Sequence, residues 1–77
     1  MDRKTYCYKL ADINERLYEI DNSLKELSFS IFLWRDNPEK QEWYLQSQAR
    51  LIEEKNELEE EKETLMQQYS YLLDEED

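Results

Sequence analysis

Acidic side chains are the most numerous residues of this chain that could take part in chemistry. The sequence has 20 Asp and Glu against 10 Lys and Arg, and seven carboxylates fall within residues 53–63, EEKNELEEEKE. Paired carboxylates can act as general acid and base, or bind a cation in the interior of a bundle. The repeat described below places them outside the helix seam, on a solvated helix surface. We therefore predict that they act through their charge.

Other residue types that catalysis requires are scarce. The sequence has no His, no Gly and a single Cys, Cys7. An internal disulfide, a zinc site and a glycine-rich phosphate loop are therefore not expected, and a two-helix surface offers no deep pocket. We predict a protein that is not an enzyme and has no catalytic residues, cofactor or metal. Cys7 is interpreted as a small, partly buried side chain beside the helix seam.

The acidic run has a charge density close to that of a nucleic acid strand. Its seven carboxylates occupy about 16.5 Å of helix axis, and after subtraction of two lysines the net density is one charge per ~3.3 Å. One DNA strand in a duplex carries one charge per ~3.4 Å. Such a surface attracts a basic groove and repels nucleic acid, so direct nucleic-acid binding is not expected. The predicted partner-binding acidic face consists of Glu53, Glu54, Glu57, Glu60 and Glu61.

An ordinary explanation of the same acids remains open. Outward positions of coiled coils are often rich in Glu, which forms helices well and keeps the surface solvated. A solvating face usually alternates Lys with Glu, whereas residues 51–77 hold eleven acids and two bases, a net charge of −9. This imbalance favours the interaction hypothesis.

Two long helices are predicted to position these side chains. From Tyr6 to Trp34, apolar residues recur at alternating intervals of four and three, which is a heptad repeat. Pro38 disfavours helical backbone at the residue before it, so Asn37 is the predicted N-cap of a second helix with Pro38 in its first turn. We predict a single domain over 1–77, with helix 1 at about 3–36, a turn at 36–38, helix 2 at about 38–73 and a frayed acidic tail at 74–77.

The register of the two helices follows from the short turn. A turn centred between Asn37 and Pro38 makes the helices antiparallel neighbours, in which facing residue numbers sum to about 75. Four apolar layers satisfy this relation: Leu10 with Leu65, Leu17 with Leu58, Leu24 with Leu51, and Ile31 with Tyr44. The predicted fold class is all-α, an antiparallel two-helix coiled-coil hairpin that dimerises into a four-helix bundle.

Dimerisation is predicted because the hairpin leaves apolar side chains without apolar partners. In the same register, Ile13 and Ile20 face Lys62 and Lys55, and helix 2 carries a second apolar row beside its leucines. A homodimer would cover both sets, since small cores commonly need such help. The alternative is that Lys55 and Lys62 cover the isoleucines with their aliphatic stems and pair with Asp21 and Asp12. The predicted oligomer seam consists of Ile13, Ile20, Leu27, Ile52 and Met66.

The turn half of the chain carries a further apolar group. Residues 25–50 hold four acids and four bases, so this end has no net charge to resist association. Three of its large apolar residues fall at heptad positions that a lone hairpin leaves in water. The predicted apolar tip, which binds a partner or a second copy, consists of Phe29, Phe32, Leu33 and Trp43.

Together these features predict a non-enzymatic protein–protein interaction module. In general character (small, acidic, helical and without enzymatic residues) the chain is similar to inhibitors that phages and mobile elements use against nucleic-acid machinery, including anti-CRISPR and anti-restriction proteins. That resemblance implies a small inhibitor or modulator that occludes the nucleic-acid-binding surface of a protein partner. The alternative is a structural or adaptor coiled coil that oligomerises through its tip. The longest run of aliphatic or aromatic residues is too short to span a bilayer, so we expect a cytoplasmic protein, in the host cytoplasm if phage-encoded.

Overall fold

The computed structural model describes residues 1–74 and consists of helices. The long helices α1 (Arg3–Leu33) and α2 (Pro38–Tyr69) pack against each other, and a single turn, α3 (Tyr71–Asp74), follows. No strand occurs in this part of the chain. The predicted all-α helical hairpin is therefore confirmed. Of the predicted frayed tail, residues 75–77 lie outside the described residues, and residue 74 ends α3.

Helix α1 has a well-formed start and ends earlier than predicted. Asp2 is its N-cap, and the Asp2 carboxylate accepts a hydrogen bond of 2.8 Å from the Thr5 backbone N–H, which lowers the pKa of Asp2. The helix ends at Leu33, three residues before the predicted end. Residues 34–36 instead form a tight turn, in which the Arg35 N–H donates to the Phe32 carbonyl at 3.3 Å. A turn is needed there because the residue before Pro38 is restricted to extended backbone.

Helix α2 begins where the sequence predicts. Asn37 is the N-cap in extended conformation, with φ −121° and ψ 95°, and its side chain accepts a hydrogen bond of 3.3 Å from the Lys40 N–H. Pro38 occupies the first turn, where its missing N–H costs nothing. The helix ends at Tyr69, and after Ser70 the chain forms α3, which carries the buried Leu72.

The core is one side chain deep and runs along the hairpin. Its buried apolar side chains are Tyr6, Ile13, Ile20 and Leu72. The leucines of the predicted layers are half-buried, because each is covered by one opposing helix. At the open end, the rings of Tyr6 and Tyr69 lie 6.4 Å apart between centroids.

The single chain already buries the two isoleucines that were predicted to lack apolar partners. Ile13 is 6% exposed and Ile20 is 0% exposed, so neither offers surface to a second copy, and their inclusion in the oligomer seam is corrected. Two ion pairs bracket Ile20: Arg16 with Glu54, and Lys55 with Asp21. The aliphatic stems of these long side chains can cover the isoleucine while their charged ends remain in water. Of the two pairs in the stem-covering alternative, Lys55–Asp21 is present, whereas no ion pair joins Lys62 to Asp12 among the described residues.

The hairpin is a thin rod. It measures 60 × 15 × 14 Å and has a Cα radius of gyration of 17.3 Å, whereas a compact globule of this length has about 11.5 Å. Nearly every residue therefore has a solvent-facing side, and the candidate functional sites are outer surfaces of the rod. Within the part of the chain that the structure describes, no helix is both long and apolar enough to cross a membrane.

Candidate functional site

The first candidate surface is the outer side of α2. Glu53, Glu57, Glu60 and Glu61 are exposed there, turned away from the half-buried Leu58. Among the described residues, none of the four carboxylates has a basic group within 4.0 Å. We call these four residues the carboxylate face. With no basic group beside it, the negative charge of this face is not neutralised at short range.

Glu54 does not belong to this face. It is half-buried at the side of the helix interface, where its two carboxylate oxygens accept hydrogen bonds from Nε and Nη2 of Arg16 at 2.5 and 2.8 Å. Arg16 also contacts Glu19 through Nη1 at 3.2 Å. The planar guanidinium suits this two-point contact. Glu54 therefore links α2 to α1, and its predicted place on an outward face is corrected.

The axial offset between Arg16 and Glu54 explains why the heptad register did not predict this contact. The residue numbers of Arg16 and Glu54 sum to 70, whereas facing residues sum to about 75, an axial offset of about 7.5 Å. Only a long side chain bridges such an offset. Both residues flank the heptad seam of their helix on the same side of the hairpin, which is the one sequence signal for the pair.

Three members of these ion pairs, Arg16, Glu54 and Lys55, have pKa values shifted in the direction that favours the charged form. Hydrogen bonding to Glu54 raises the pKa of Arg16, and hydrogen bonding to Arg16 lowers the pKa of Glu54 below its ordinary 4.5. Lys55 Nζ lies 3.0 Å from a carboxylate oxygen of Asp21, and this hydrogen bond raises the pKa of Lys55. All these groups stay charged at neutral pH.

The two lysines of the acidic run face away from the carboxylate face. Lys55 and Lys62 are half-buried on the side of α2 that meets α1, and Lys55 reaches across to Asp21. The Lys55 charge is thus paired at the helix interface. The separation of bases from acids is sharper in the fold than the linear sequence indicates, because the helix turns each residue about 100° from the one before it.

The second candidate surface is the turn end of α1. Three apolar side chains there are 57% to 65% exposed: Phe29, Phe32 and Leu33. The neighbouring Ile31 and Trp34 are half-buried and point toward α2, so these three point away from it. We call these three residues the turn-end patch. The Arg35 guanidinium lies 4.5 Å from the Phe32 ring centroid and covers part of it.

Trp43 lies apart from the turn-end patch. It is 63% exposed and belongs to α2, one residue before the half-buried Tyr44, so it points away from α1. Its ring contacts only the edge of Tyr44 among the ring contacts of the described residues, at 5.0 Å between centroids. The four residues of the predicted apolar tip therefore share one end of the rod but lie on two different outer faces.

The turn itself is held by side chains that the tip prediction did not include. Lys40 Nζ lies 3.8 Å from the centroid of the half-buried Trp34 ring. Gln41 Nε2 donates a hydrogen bond of 3.4 Å to the carbonyl oxygen of Ile31. These contacts join the end of α1 to the start of α2 and so hold in place the helix end that carries the turn-end patch.

The third candidate surface is one flank of the hairpin. Leu45, Ile52 and Met66 of α2 and Leu73 of α3 follow a seven-residue spacing that the exposed Glu59 interrupts, and each apolar member is 43% to 47% exposed. We call these four apolar residues the flank row. A groove of about 540 Å³ lies beside it, between Leu17 of α1 and the Glu59 to Ser70 stretch of α2. Of the predicted oligomer seam, Ile52 and Met66 belong to this row, and Leu27 is half-buried between the helices.

Neither a metal-ligand cluster nor a known relative adds to these surfaces. In residues that the structure describes, no three His, Cys, Asp or Glu side chains are grouped so that they could hold a metal ion. Comparison with known proteins finds no matching family model, no matching curated protein and no matching solved structure. Function is therefore argued from the three surfaces alone.

Proposed function

We propose that this protein is a non-enzymatic interaction module, a small acidic inhibitor or modulator that docks on a nucleic-acid-binding protein and occludes its basic surface. The observation that carries the proposal is the carboxylate face, in which Glu53, Glu57, Glu60 and Glu61 are exposed and without ion pairs in the described chain. Four fixed negative charges on one side of a rod resemble the phosphates that such a groove binds.

The geometry also supports attachment by apolar contact. The carboxylate face occupies the middle of α2, and the turn-end patch lies at one end of the same rod. Charge steers association and sets its salt dependence, whereas buried aromatic side chains commonly supply much of the affinity. A partner with a basic groove and an adjacent apolar pocket would use both surfaces. The inhibitors of phages and mobile elements, of the anti-CRISPR and anti-restriction type, are the class of protein that works in this way.

The proposal is tested by displacement from DNA. Proteins of the native host are adsorbed on double-stranded DNA cellulose, and the column is washed with the purified chain at low salt. We expect the chain to elute at least one DNA-binding protein, and the variant with Glu53, Glu57, Glu60 and Glu61 changed to Lys to elute none. Binding of the chain to the eluted protein, measured afterwards in solution without DNA, should weaken steeply as salt rises toward about 0.5 M, where exposed charges are strongly screened.

A charge-matched control separates the face from net charge. Changing the exposed residues Asp12, Glu15, Glu26 and Glu42 to Lys alters the total charge equally but leaves the carboxylate face intact. This control should elute the same protein as the unmodified chain. Equal elution by both Lys variants, or no elution by the unmodified chain, would contradict the proposal. Circular dichroism verifies that each variant remains helical.

A structural or adaptor coiled coil is the second candidate function. It is favoured by the exposure of Phe29, Phe32 and Leu33, which a hairpin with no apolar partner leaves in water. In that case the acids only solvate α2. Phe32→Asp or Trp43→Ala would then abolish association, and salt would have little effect on it.

We also propose that the chain forms a homodimer. The flank row supports this, since its four apolar side chains remain nearly half exposed after the hairpin has closed. Fully burying an aliphatic side chain of this size is worth about 1.5–3 kcal/mol, so covering its exposed part is worth roughly half of that, and the sum over four side chains is large beside the stability of so small a domain. Sedimentation equilibrium over a range of protein concentrations measures the dimer directly, in the absence of any partner.

A further inference from the structure

The flank row is symmetric about its central residue. Ile52 and Met66 lie seven residues on either side of Glu59, and Leu45 and Leu73 lie fourteen on either side. A two-fold interface requires this kind of self-complementarity, in which residue i contacts residue j and j contacts i. The exposed apolar positions of α2, extended by Leu73 of α3, therefore match those of a second, antiparallel copy.

We infer that two copies of this chain pack α2 against α2, antiparallel, with the two-fold axis at Glu59. Ile52 of each copy then faces Met66 of the other, and Leu45 faces Leu73. This interface rests on the proposed homodimer and specifies the surface that forms it. The carboxylate face and the turn-end patch remain open to a different partner, because both lie on other sides of the hairpin.

The groove on this flank fits the same arrangement. It runs along α2 from Glu59 to Ser70 and includes Met66, with Leu17 of α1 on its other side. In the antiparallel pairing, this stretch receives residues 48–59 of the second copy, including its Ile52. There an aliphatic side chain would meet the apolar side chains of Met66 and Leu17, beside the polar side chains that form the rest of the groove lining.

Charges near the axis make this dimer weak. The two Glu59 carboxylates approach each other, and Glu63 of each copy lies on the same side of α2. Lys55 and Lys62 supply compensating charge, although Lys55 is shared with Asp21 of α1. The row is about 42 Å long and one helix diameter wide, so the pair covers on the order of 900 Å². That area is below the roughly 1,200 Å² at which stable interfaces begin and falls in the range of weak, transient association, so we expect a micromolar or weaker dissociation constant.

The first test removes the like charges at the axis. Glu59→Leu joins the two halves of the flank row and should tighten the dimer at least ten-fold in sedimentation equilibrium. The matched control, Glu60→Leu, adds the same side chain on the carboxylate face and should change the dissociation constant less than two-fold. Equal effects of the two substitutions would overturn the interface.

The second test fixes the axis by disulfide formation in a Cys7→Ser background. Glu59→Cys should cross-link with itself under mild oxidation, because the two positions meet at the two-fold axis within disulfide reach. A mixture of Ile52→Cys and Met66→Cys chains should yield the mixed disulfide in preference to either self-disulfide. Glu60→Cys is the control and should cross-link slowly.

The outcomes separate this interface from the proposals on which it rests. A chain that stays monomeric to millimolar concentration, with and without Glu59→Leu, overturns both the dimer and the interface. A dimer that survives Ile52→Lys but is lost on Phe32→Asp leaves the homodimer standing and overturns the flank interface. Displacement of a DNA-binding protein is measured separately and does not depend on either result.

Discussion

Ile20 carries more of the hairpin's stability than its sequence neighbours suggest. It faces a lysine in the heptad register, yet it is fully buried between the Arg16–Glu54 and Lys55–Asp21 ion pairs. The stems of the charged residues therefore act as part of the core. Polar residues opposite an apolar row are thus compatible with a closed interface when their side chains are long.

Truncation of the Ile20 side chain should strongly destabilise the hairpin. Ile20→Ala is expected to lower the free energy of unfolding by about 2–5 kcal/mol, since a buried aliphatic side chain is lost and a cavity remains. Ile52→Ala is the matched control and should cost less than about 1 kcal/mol in the monomer, because Ile52 is 43% exposed. Urea unfolding at low protein concentration measures both. Similar losses from the two substitutions would contradict the burial of Ile20.

The Arg16–Glu54 pair predicts a pH dependence of defined sign. The pKa of Glu54 is lower in the folded chain than its ordinary 4.5, so the stability it contributes is present above that pH and is lost as pH falls through the folded value. The pKa of Arg16 is raised, and its contribution is lost only at strongly alkaline pH. The pair should therefore weaken only on acidification within the range pH 7 to pH 3.

Arg16→Gln tests this linkage. The difference in urea midpoint between the unmodified chain and the variant should be largest near pH 7 and should shrink toward pH 3. Arg50→Gln, at an exposed position, is the control for loss of one positive charge. A difference that is constant over this pH range would show that the pair does not contribute through the Glu54 charge. The difference in urea midpoint should be small at every pH, because the Arg16–Glu54 pair is in contact with solvent.

At the scale of elements, the start of α2 determines where the hairpin turns. Asn37 combines the extended backbone that Pro38 requires with a side chain that accepts from the Lys40 N–H. The turn is then fixed from both sides by the Lys40–Trp34 and Gln41–Ile31 contacts. A helix boundary encoded within four residues thereby sets the register of two helices.

Asn37→Ala should weaken this boundary. Loss of an N-cap costs about 1 kcal/mol, which corresponds to a fall in Tm of about 4–8 °C in a domain of this size. Asn37→Asp keeps a capping oxygen and should restore most of the loss. Asn22→Ala, on the exposed surface of α1, is the control and should not lower the Tm. Thermal unfolding followed by circular dichroism gives all four values.

At the scale of the whole molecule, the rod separates its surfaces by distance. In a hairpin 60 Å long and about 15 Å wide, the turn-end patch, the carboxylate face and the flank row occupy different positions along and around the axis. The proposed dimer interface and the proposed partner-binding surfaces therefore do not overlap. A compact globule of 77 residues would have less room for such separation.

The proposed dimer has a shape that scattering can recognise. Glu59 lies about four residues from the middle of the rod, which extends from the turn at about residue 36 to residue 74, so pairing about it shifts the two hairpins and lengthens the assembly by about 12 Å. We expect a maximum dimension near 72 Å in small-angle X-ray scattering of the dimer, against 60 Å for the monomer. A dimer of unchanged length would contradict the position of the axis. Glu59→Leu provides the sample in which the dimer is most populated.

The sequence alone determined the helices, the turn and the distribution of charge. The heptad spacing from Tyr6 to Trp34, the Asn37–Pro38 boundary and the excess of acids after residue 50 are local properties of the chain. Helix periodicity and proline stereochemistry translate them directly into structure. The hairpin register could be calculated for the same reason, because a short turn leaves one way to align the helices.

Only the tertiary structure decided which side chains are left at the surface. It buried Ile13 and Ile20, moved Glu54 to an interhelical ion pair, and placed Trp43 on a different face from Phe29. Periodicity gives the direction of a side chain on its own helix. Burial depends also on how far the long side chains of the opposite helix reach, and that distance exists only after the helices have packed.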